Sequence, residues 1–263
     1  MNSYALTNAR VLGNDDFHSG HAVLVQDGKV AAVLPEASLP AGVPQHDLGG
    51  GWLLPGFIDV QVNGGGGALL NNTPDVAALR AMMRGHRRFG TTGMMPTLIS
   101  DDAAVMAEAI AAVRQAIDEG VPGILGIHLE GPYIAPARKG THDAGKFRVP
   151  GPDEVAMATS LDNGVTLITL APERVPVDTI RTMVGNGAIV CAGHTAGSYE
   201  ETRAGLDAGI SGFTHLYNAM TPLQGREPGV VGAALEDPHS WCGVIVDGVH
   251  VHPASLRVAL AAK

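Results

Sequence analysis

Three side chains of types that bind metals follow short apolar runs in this sequence. Glu130 ends the run 124–130, His194 lies two residues beyond the run 188–192, and His215 ends the run 212–215. A charged group at the end of an apolar strand is costly to desolvate unless it is paired or bound to a metal. One Glu and two His form a ligand set known for catalytic zinc, with an open position for water. No short motif such as His-Glu-x-x-His supports this set, so each residue alone also fits an ordinary polar residue at a strand end.

Strands and helices alternate from residue 52 onward. Helix signals lie between the apolar runs: Thr73-Pro74 marks one helix start, Ser100 precedes another, Ser198 and Glu201 form a capping box, and Pro253 opens the last helix. Alternation over 200 residues predicts a parallel sheet, either an open doubly wound sheet or a closed (β/α)₈ barrel. The seven runs predicted as strands are 54–62, 92–98, 124–130, 165–170, 188–192, 212–215 and 242–246.

The distribution of polar residues favours the barrel. A barrel gathers all its strand ends around one centre, whereas an open sheet uses mainly the point where its strand order reverses. Candidate site residues stand at the ends of nearly all predicted strands, namely Asp59, Gln61, Glu130, His194, His215 and Asp247. We therefore predict an α/β protein with a TIM-type barrel, of which this chain contains about seven of the eight strands.

The first 50 residues have a different pattern. Two short apolar runs, 22–25 and 29–34, are joined through Asp27-Gly28, which is a strong signal for a β-hairpin. The run Gly49–Gly51 separates this β segment from the rest of the chain. The predicted domains are residues 1–50 and residues 51–263.

Composition excludes several classes of protein. The 263 residues are 45% apolar and 16% charged, with a formal net charge of −9, which argues against a nucleic-acid-binding protein. No apolar run reaches about 18 residues, so no membrane span is expected. The N-terminus lacks the basic start and apolar stretch of a signal peptide. Because the two cysteines cannot form a disulfide framework, we expect a reducing, cytoplasmic location.

Seven segments together resemble one known family. They occur in a single order, as LPGFIDVQVNG at 54–64, HLEGP at 128–132, KGTH at 139–142, AGHT at 192–195, THLYNAM at 214–220, GREPG at 225–229 and DGVH at 247–250. From about residue 52 to its end the chain resembles the N-acetylglucosamine-6-phosphate deacetylases of the amidohydrolase superfamily. Any one segment is weak support, whereas seven in one order are specific.

The resemblance implies a role for each matching residue. It implies that residues 1–50 begin a small β-sandwich domain, that Glu130, His194 and His215 are the metal ligands, and that His142 polarises the acetamide carbonyl. The positions implied to bind the sugar phosphate are Thr141, His142, Asn218, Ala219, Arg226, Asp247 and His250.

The resemblance also implies a cofactor and a partner. Relatives with two metals often carry His-x-His on the first barrel strand, where this chain has Gln61 and Asn63. We therefore expect one divalent ion per subunit, zinc first, with Fe²⁺ or another divalent ion as alternatives. In the family the loop of Arg226 contributes to the site of a neighbouring subunit, which implies a homodimer.

One catalytic part of the family pattern has no match. The family carries a general acid/base Asp at the end of strand eight, and no residue here corresponds to it. We expect that the sequence is an N-terminal piece that stops before strand eight. A naturally shortened protein is the alternative, in which Asp247 is the nearest carboxylate that could serve as a substitute base.

Two loops beside the expected site carry further signals. Gly64–Gly67 lacks the Gly-x-Gly-x-x-Gly form of a dinucleotide site, and we expect it to supply backbone flexibility. Residues 138–148 contain Arg138, Lys139, Lys146 and Arg148, which could attract an anionic substrate or be an ordinary solvated loop.

The expected activity is deacetylation of N-acetylglucosamine-6-phosphate to glucosamine-6-phosphate and acetate. One alternative is an amidohydrolase that acts on a different amide, although such enzymes usually keep His-x-His on strand one. The other alternative is a catalytically incomplete protein that binds sugar phosphate or metal.

Overall fold

The computed structural model describes residues 3–263 and divides into two compact units, one ending at Gly56 and the other running from Phe57 to Lys263. Met1 and Asn2, which belong to the N-terminal segment without signal-peptide features, lie outside the described residues.

The first unit is a four-stranded sheet. Its strands are β1 (Ser3–Leu12), β2 (Phe17–Gln26), β3 (Lys29–Pro35) and β4 (Gln45–Leu53), in the order β3-β2-β1-β4. The predicted hairpin is confirmed, since Asp27 and Gly28 alone join β2 to β3 and have φ values of 49° and 79°. Two successive positive φ angles are the signature of a type I′ turn, whose twist suits adjacent strands.

The glycine run of this unit does not separate two segments, so that prediction is wrong. Gly49–Gly51 lies inside β4, which pairs in parallel with β1. The pairing register shifts between Thr7 and Ala9, and Gly49 and Gly50 have φ values of 63° and 78°. The glycines thus form an irregularity in a continuing strand, because only glycine adopts this conformation without strain.

The second unit contains a sheet of seven parallel strands. They are β5 (Phe57–Val62), β8 (Thr91–Ile99), β9 (Gly126–Glu130), β10 (Val165–Leu170), β11 (Ile189–Ala192), β12 (Gly212–Phe213) and β13 (Trp241–Cys242), while β6 (Gly64–Gly65) and β7 (Ala68–Leu69) form a small hairpin. The seven strands neighbour one another in chain order, without a reversal. This winding is that of a (β/α) barrel and differs from a doubly wound sheet, so the predicted fold class is confirmed.

Seven α-helices accompany these strands in the described residues. They are α1 (Val76–Arg87), α2 (Ala103–Asp118), α3 (Pro152–Ala158), α4 (Val177–Gly185), α5 (Tyr199–Asp207), α6 (Gly229–Glu236) and α7 (Pro253–Ala262). The capping box of α5 and the start of α7 at Pro253 are as predicted. The cap of α1 is Asp75, whose side chain accepts the Ala78 N–H at 2.7 Å, and not Thr73. Over residues 3–263, none of the helices has the length and apolarity needed to cross a membrane.

Alternate residues of each barrel strand face opposite layers of the core. Ile127 and Leu129 of β9 belong to the large apolar cluster that also includes the helices. Met95, Leu167 and Cys191 form a separate small cluster on the other face. Because side chains alternate along a strand, His128 and Glu130 also lie on the face opposite Ile127 and Leu129. Polar groups destined for the site therefore lie on the face that carries the small cluster.

A buried polar layer spans several strands on that face. The His128 ring contacts the Val60 carbonyl oxygen through Nδ1 at 2.9 Å and the Thr169 hydroxyl through Nε2 at 2.7 Å. The Thr169 and Thr214 hydroxyl oxygens are 2.6 Å apart. Burial lowers the pKa of His128 to about 4, although the charge of Glu130 opposes this, so the ring is neutral at neutral pH. Hydrogen bonds thus link the Val60 carbonyl, the His128 ring and the hydroxyls of Thr169 and Thr214 in one continuous series.

Candidate metal centre and pocket

Glu130, His194 and His215 converge at the carboxyl ends of three strands. The Glu130 Oε1 atom lies 3.2 Å from His194 Nε2 and 3.1 Å from His215 Nε2, and the two Nε2 atoms are 3.0 Å apart. All three side chains are buried. They are the one group of this kind found in the described residues. The ligand set predicted from sequence is therefore brought together by the fold.

The backbone is strained where it presents the two histidines. His194 and His215 have φ values of 47° and 40°, a left-handed conformation that non-glycine residues rarely adopt. Each histidine follows shortly after a strand end, at Ala192 for β11 and at Phe213 for β12. Such strain concentrates at functional sites, where the surrounding structure holds it. The expected strand 212–215 is accordingly shorter than predicted.

The lone pairs of His194 and Glu130 that face each other at this site fit a bound cation. The Nδ1 atom of His194 lies 2.8 Å from the Arg138 carbonyl oxygen, which can only accept, so Nδ1 carries a proton. In a neutral ring the lone pair of Nε2 then points at the Glu130 carboxylate, and two lone pairs in contact repel each other. A positive charge placed between them removes this repulsion, and a carbonyl behind a histidine is the usual support of a metal ligand.

The spacing and charge of the triad also suit a metal. In a tetrahedral zinc site with bonds of about 2.0–2.2 Å, ligand atoms lie roughly 3.3–3.5 Å apart, close to the separations seen here. Burial acts to raise the pKa of Glu130, but the neighbouring imidazoles more than offset this and hold it well below its usual range. Glu130 is therefore an ionised carboxylate. The residues present fit a divalent ion of the zinc type.

Gln61 and Asn63, the positions at which two-metal relatives carry histidines, line the same cavity. The Gln61 amide donates to Glu130 Oε1 at 2.8 Å. Gln61 thus orients the carboxylate through a hydrogen bond. It offers no imidazole nitrogen for a second ion.

A cavity of about 510 Å³ opens beside the triad. Its lining residues are Gln61, Asn63, Leu69, Asn71, Ile99, Glu130, Gly140, Thr141, His142, His194, His215, Asn218, Ala219, Ile245 and His250. Five of the seven residues predicted to bind the sugar phosphate are among them. Arg226 and Asp247 are exposed and do not line this cavity.

His142 stands next to the triad as a neutral donor. Its Nε2 atom is 3.9 Å from Glu130 Oε2, and its ring centre is 4.4 Å from that of His194. Burial lowers the pKa of His142 to about 4, while the charge of Glu130 opposes the shift. The ring is therefore uncharged at neutral pH and can donate one hydrogen bond into the cavity.

Asp247 is unsuited to serve as a substitute base. Its Oδ1 accepts the backbone N–H groups of Val249 and His250 at 2.8 Å each, and its Oδ2 lies 2.7 Å from His250 Nδ1. The backbone N–H of His250, then that of Val249, then the His250 side chain lower the pKa of Asp247 far below its usual value. A carboxylate so stabilised in its ionised form is a weak base.

Half of the basic residues in the loop 138–148 are already paired. Lys146 contacts the carboxylates of Asp101 and Asp102, and Arg148 lies 2.7 Å from Glu154. Arg138 and Lys139 form no ion pair within residues 3–263. The loop therefore presents less positive charge to a substrate than its sequence indicates.

Several polar residues around the site were not predicted from sequence. Ser100 contacts His142 Nδ1 through its hydroxyl at 2.8 Å, and Glu173 accepts the Thr195 hydroxyl at 2.6 Å, next to His194. Ser100 precedes a helix and therefore looks like a cap. Glu173 lies shortly after the end of β10, and this position is the one feature of the sequence that could have identified it as a site residue.

Comparisons with known proteins identify the family of this chain. A model of the NagA composite domain matches residues 3–53, and a model of the amidohydrolase family matches residues 52–263. The N-acetylgalactosamine-6-phosphate deacetylase of Shewanella sp. (strain ANA-3) is 46% identical over 97% of this chain and 65% of the relative. The N-acetylglucosamine-6-phosphate deacetylase of Haemophilus influenzae is 34% identical over 97% of this chain and 67% of the relative.

Solved structures show the same similarity. The crystal structure of N-acetylglucosamine-6-phosphate deacetylase from Pasteurella multocida has a TM-score of 0.95 at 35% identity, covering 99% of this chain and 69% of that one. A mutant of the Mycobacterium smegmatis deacetylase in complex with N-acetyl-D-glucosamine-6-phosphate has a TM-score of 0.89 at 32% identity. This match covers 100% of this chain and 68% of that one. This chain thus spans about two thirds of the length of these relatives. It belongs to the amidohydrolase family, among the deacetylases of 6-phosphorylated N-acetyl amino sugars.

Proposed function

We propose that this protein deacetylates N-acetylglucosamine-6-phosphate to glucosamine-6-phosphate and acetate with the help of one divalent metal ion. The observation that carries the proposal is the convergence of Glu130, His194 and His215 beside the neutral donor His142, in one cavity of about 510 Å³. Relatives of this chain are named as deacetylases of N-acetylgalactosamine-6-phosphate or of N-acetylglucosamine-6-phosphate, which supports the proposed chemistry.

Three groups of this chain would hold the ion. Glu130 supplies a carboxylate oxygen, and His194 and His215 supply ring nitrogens, a mixed set that suits zinc and also Fe²⁺. When bound, such an ion polarises a carbonyl group and lowers the pKa of water toward ~7. Gln61 holds the Glu130 carboxylate in place through its 2.8 Å hydrogen bond.

His142 has the second role in the proposal. Amide hydrolysis builds negative charge on the carbonyl oxygen, and a fixed donor at that point stabilises the transition state. The neutral His142 ring, buried beside Glu130, can provide this donor through Nε2. The sugar would occupy the rest of the cavity, with Thr141, Asn218, Ala219 and His250 along its wall.

The third task is to pass a proton to the departing amine. Glu130 is the one carboxylate among the described residues that line the cavity, and it belongs to the triad. We propose that this task falls to an aspartate on an eighth strand, as the family pattern implies. We further propose a cytoplasmic homodimer in which Arg226 reaches the phosphate in the neighbouring subunit's site.

The deciding experiment measures acetate release from N-acetylglucosamine-6-phosphate with zinc present. Two proteins are compared: the 263-residue chain, and a chimera in which the part of the Shewanella relative beyond the matched region follows residue 263. We expect release by the chimera at a rate at least about a hundredfold above that of the chain alone. Release by neither protein, when both bind zinc, would overturn the deacetylase assignment.

The galactose epimer is a second candidate substrate. The Shewanella relative at 46% identity is named an N-acetylgalactosamine-6-phosphate deacetylase, whereas the Haemophilus relative at 34% is named for the glucosamine compound. The same assay with both epimers separates the two candidates through the ratio of their kcat/KM values. A ratio that favours the galactosamine compound would reassign the sugar and leave the deacetylation chemistry unchanged.

A further inference from the structure

We propose that Ser100 is a positioning residue that fixes the tautomer of His142, so that the proton of the neutral ring lies on Nε2 and faces the cavity. This inference rests on the proposed function, because it concerns the donor that would stabilise the carbonyl oxygen. It is drawn from the hydrogen bonds around one ring nitrogen.

Two groups of Ser100 contact the same atom of His142. The backbone N–H of Ser100 donates to Nδ1 at 3.3 Å, and the Ser100 hydroxyl oxygen lies 2.8 Å from Nδ1. A backbone N–H has no lone pair and can only donate, so Nδ1 must accept. The hydroxyl must then donate to the same nitrogen. In the neutral ring the single proton is therefore on Nε2.

The other ring nitrogen points toward the metal ligands. The His142 Nε2 atom lies 3.9 Å from Glu130 Oε2, and His142 lines the cavity. The opposite tautomer would place an N–H against the Ser100 N–H and a lone pair toward Glu130. Both contacts would be unfavourable in this buried site. Ser100 thus selects the tautomer that can donate a hydrogen bond to a substrate oxygen.

The surroundings hold the pair in place. Ser100 and His142 are 5% and 3% exposed. Gly131 leaves the room that Ser100 needs, since a Cβ at that glycine would come within 2.3 Å of the Ser100 hydroxyl oxygen. The loop of His142 is also tied to the segment after β8, because Arg148 donates to the Asp101 carbonyl at 3.0 Å and Lys146 contacts Asp102.

Ser100 does not do what its sequence position indicates. A serine just before an acidic start of a helix is expected to cap that helix. The cap position of α2 is Asp102, and the Ser100 hydroxyl turns to His142. The residue is therefore free to act on the site, and its replacement leaves the helix terminus intact.

The first test is a spectroscopic measurement that does not need activity. The protein is labelled with ¹⁵N-histidine, and the His142 signals are assigned through the variant His142→Asn. We expect the unaltered chain to show an unprotonated Nδ1 and a protonated Nε2 at His142. Ser100→Ala removes the 2.8 Å hydroxyl contact but keeps the longer 3.3 Å contact of the backbone N–H, so the preference for the Nε2 proton should weaken without being lost. The two ¹⁵N shifts should therefore move part of the way toward each other, while Ser100→Thr and the control Ser160→Ala keep the original shifts.

The second test measures turnover of N-acetylglucosamine-6-phosphate by the chimera described above, with and without the substitutions at Ser100. Ser100→Ala should lower kcat about tenfold, with KM and zinc content within about twofold of the unaltered protein, and Ser100→Thr should restore most of the loss.

Two results would overturn the role of Ser100: a proton on His142 Nδ1 in the unaltered chain, or unchanged His142 shifts in Ser100→Ala. If the shifts behave as expected but no acetate is released, the proposed function fails and the tautomer assignment stands.

Discussion

Two neighbouring histidine rings hold their protons on opposite nitrogens. His194 donates from Nδ1 to the Arg138 carbonyl, so its Nε2 lone pair is free for a metal ion. His142 accepts at Nδ1 from Ser100, so its Nε2 carries a proton. One ring is thereby prepared as a ligand and the other as a donor. The hydrogen-bond partner behind each ring makes this difference, and both partners lie outside the ligand triad.

The Glu130 carboxylate is expected to be essential for metal affinity. Glu130→Gln removes the negative charge that would hold a divalent ion between His194 and His215, and zinc affinity should fall at least about a hundredfold. Titration with zinc, followed by elemental analysis after dialysis, measures the effect. The control is Glu119→Gln, an exposed carboxylate that pairs with Arg80 at 2.9 Å. Equal zinc content in both variants would refute the ligand role of Glu130.

The triad could be predicted from sequence because each member lies at or shortly after the end of an apolar strand, where parallel strands bring their ends together. Ser100 could not be predicted in the same way. Its local sequence matches a helix cap, and only the fold shows that the loop of His142 lies over it. The left-handed backbone of His194 and His215 likewise has no signal in the residue type.

The ionisation of Asp247 provides a pH test of its local structure. Backbone N–H groups of His250 and Val249 and then the His250 side chain lower its pKa. The pKa of Asp247 is lower in the folded state than in the unfolded state. These contacts therefore stabilise the fold fully at a pH above the unfolded-state pKa, and this stabilisation is lost as the pH falls through the folded-state pKa. In His250→Ala the pKa should rise but stay below the usual value, since the backbone donors remain. Carbon NMR titration measures the Asp247 pKa in the unaltered chain and in His250→Ala. Equal values in the two proteins would contradict the contact between Asp247 and the His250 ring.

At the scale of elements, the loop between β9 and α3 is an anchored segment. Lys146 and Arg148 tie it to the segment that follows β8, at Asp101 and Asp102, and Tyr133 donates to Glu154 at 3.1 Å. The basic residues of this loop could, from sequence, attract an anionic substrate. Two of them instead hold the loop that carries His142, so their first effect is structural.

The glycine run 64–67, predicted from sequence to be flexible, packs closely against α1. A Cβ at Gly65 would lie 2.6 Å from the His86 ring, and one at Gly66 would lie 2.3 Å from the Ala81 carbonyl oxygen. His86 Nε2 is also 2.9 Å from the Gly64 carbonyl oxygen. Composition alone cannot distinguish a mobile glycine loop from one whose backbone must approach a helix.

This packing predicts different costs for two adjacent substitutions. Gly66 and Gly67 both have positive φ, at 58° and 85°, but a Cβ at Gly67 meets no atom within 4 Å. Gly67→Ala should therefore cost only the backbone strain, about 1 kcal/mol. Gly66→Ala adds a clash with backbone and should lower the free energy of unfolding by about 2 kcal/mol more. Urea unfolding of both variants measures the difference, and equal midpoints would contradict the close packing.

At the scale of the whole molecule, strand–helix alternation predicts the parallel sheet, and the polar residues at the strand ends are what favour the winding of a barrel. The sheet has β5 and β13 as its two edges within the described residues. Alternation does not predict the irregular strand β4, because three consecutive glycines, Gly49–Gly51, have the composition of a linker even though they lie inside the strand. It also cannot show whether a loop contacts a second subunit, since that depends on surfaces and not on periodicity.

Arg226 provides the test of assembly, because it is exposed and lies outside the cavity of its own subunit. If Arg226 binds phosphate in a partner's site, Arg226→Ala should weaken binding of the phosphorylated sugar about tenfold or more. The affinity for the unphosphorylated sugar should not change. In an equal mixture of Arg226→Ala and Glu130→Gln subunits, about half of the dimers contain one subunit of each kind. Each mixed dimer has one complete site and one defective site, so about one quarter of all sites should be intact. Calorimetric titration with the phosphorylated sugar counts these sites. A mixture that regains none would place Arg226 outside the neighbouring site.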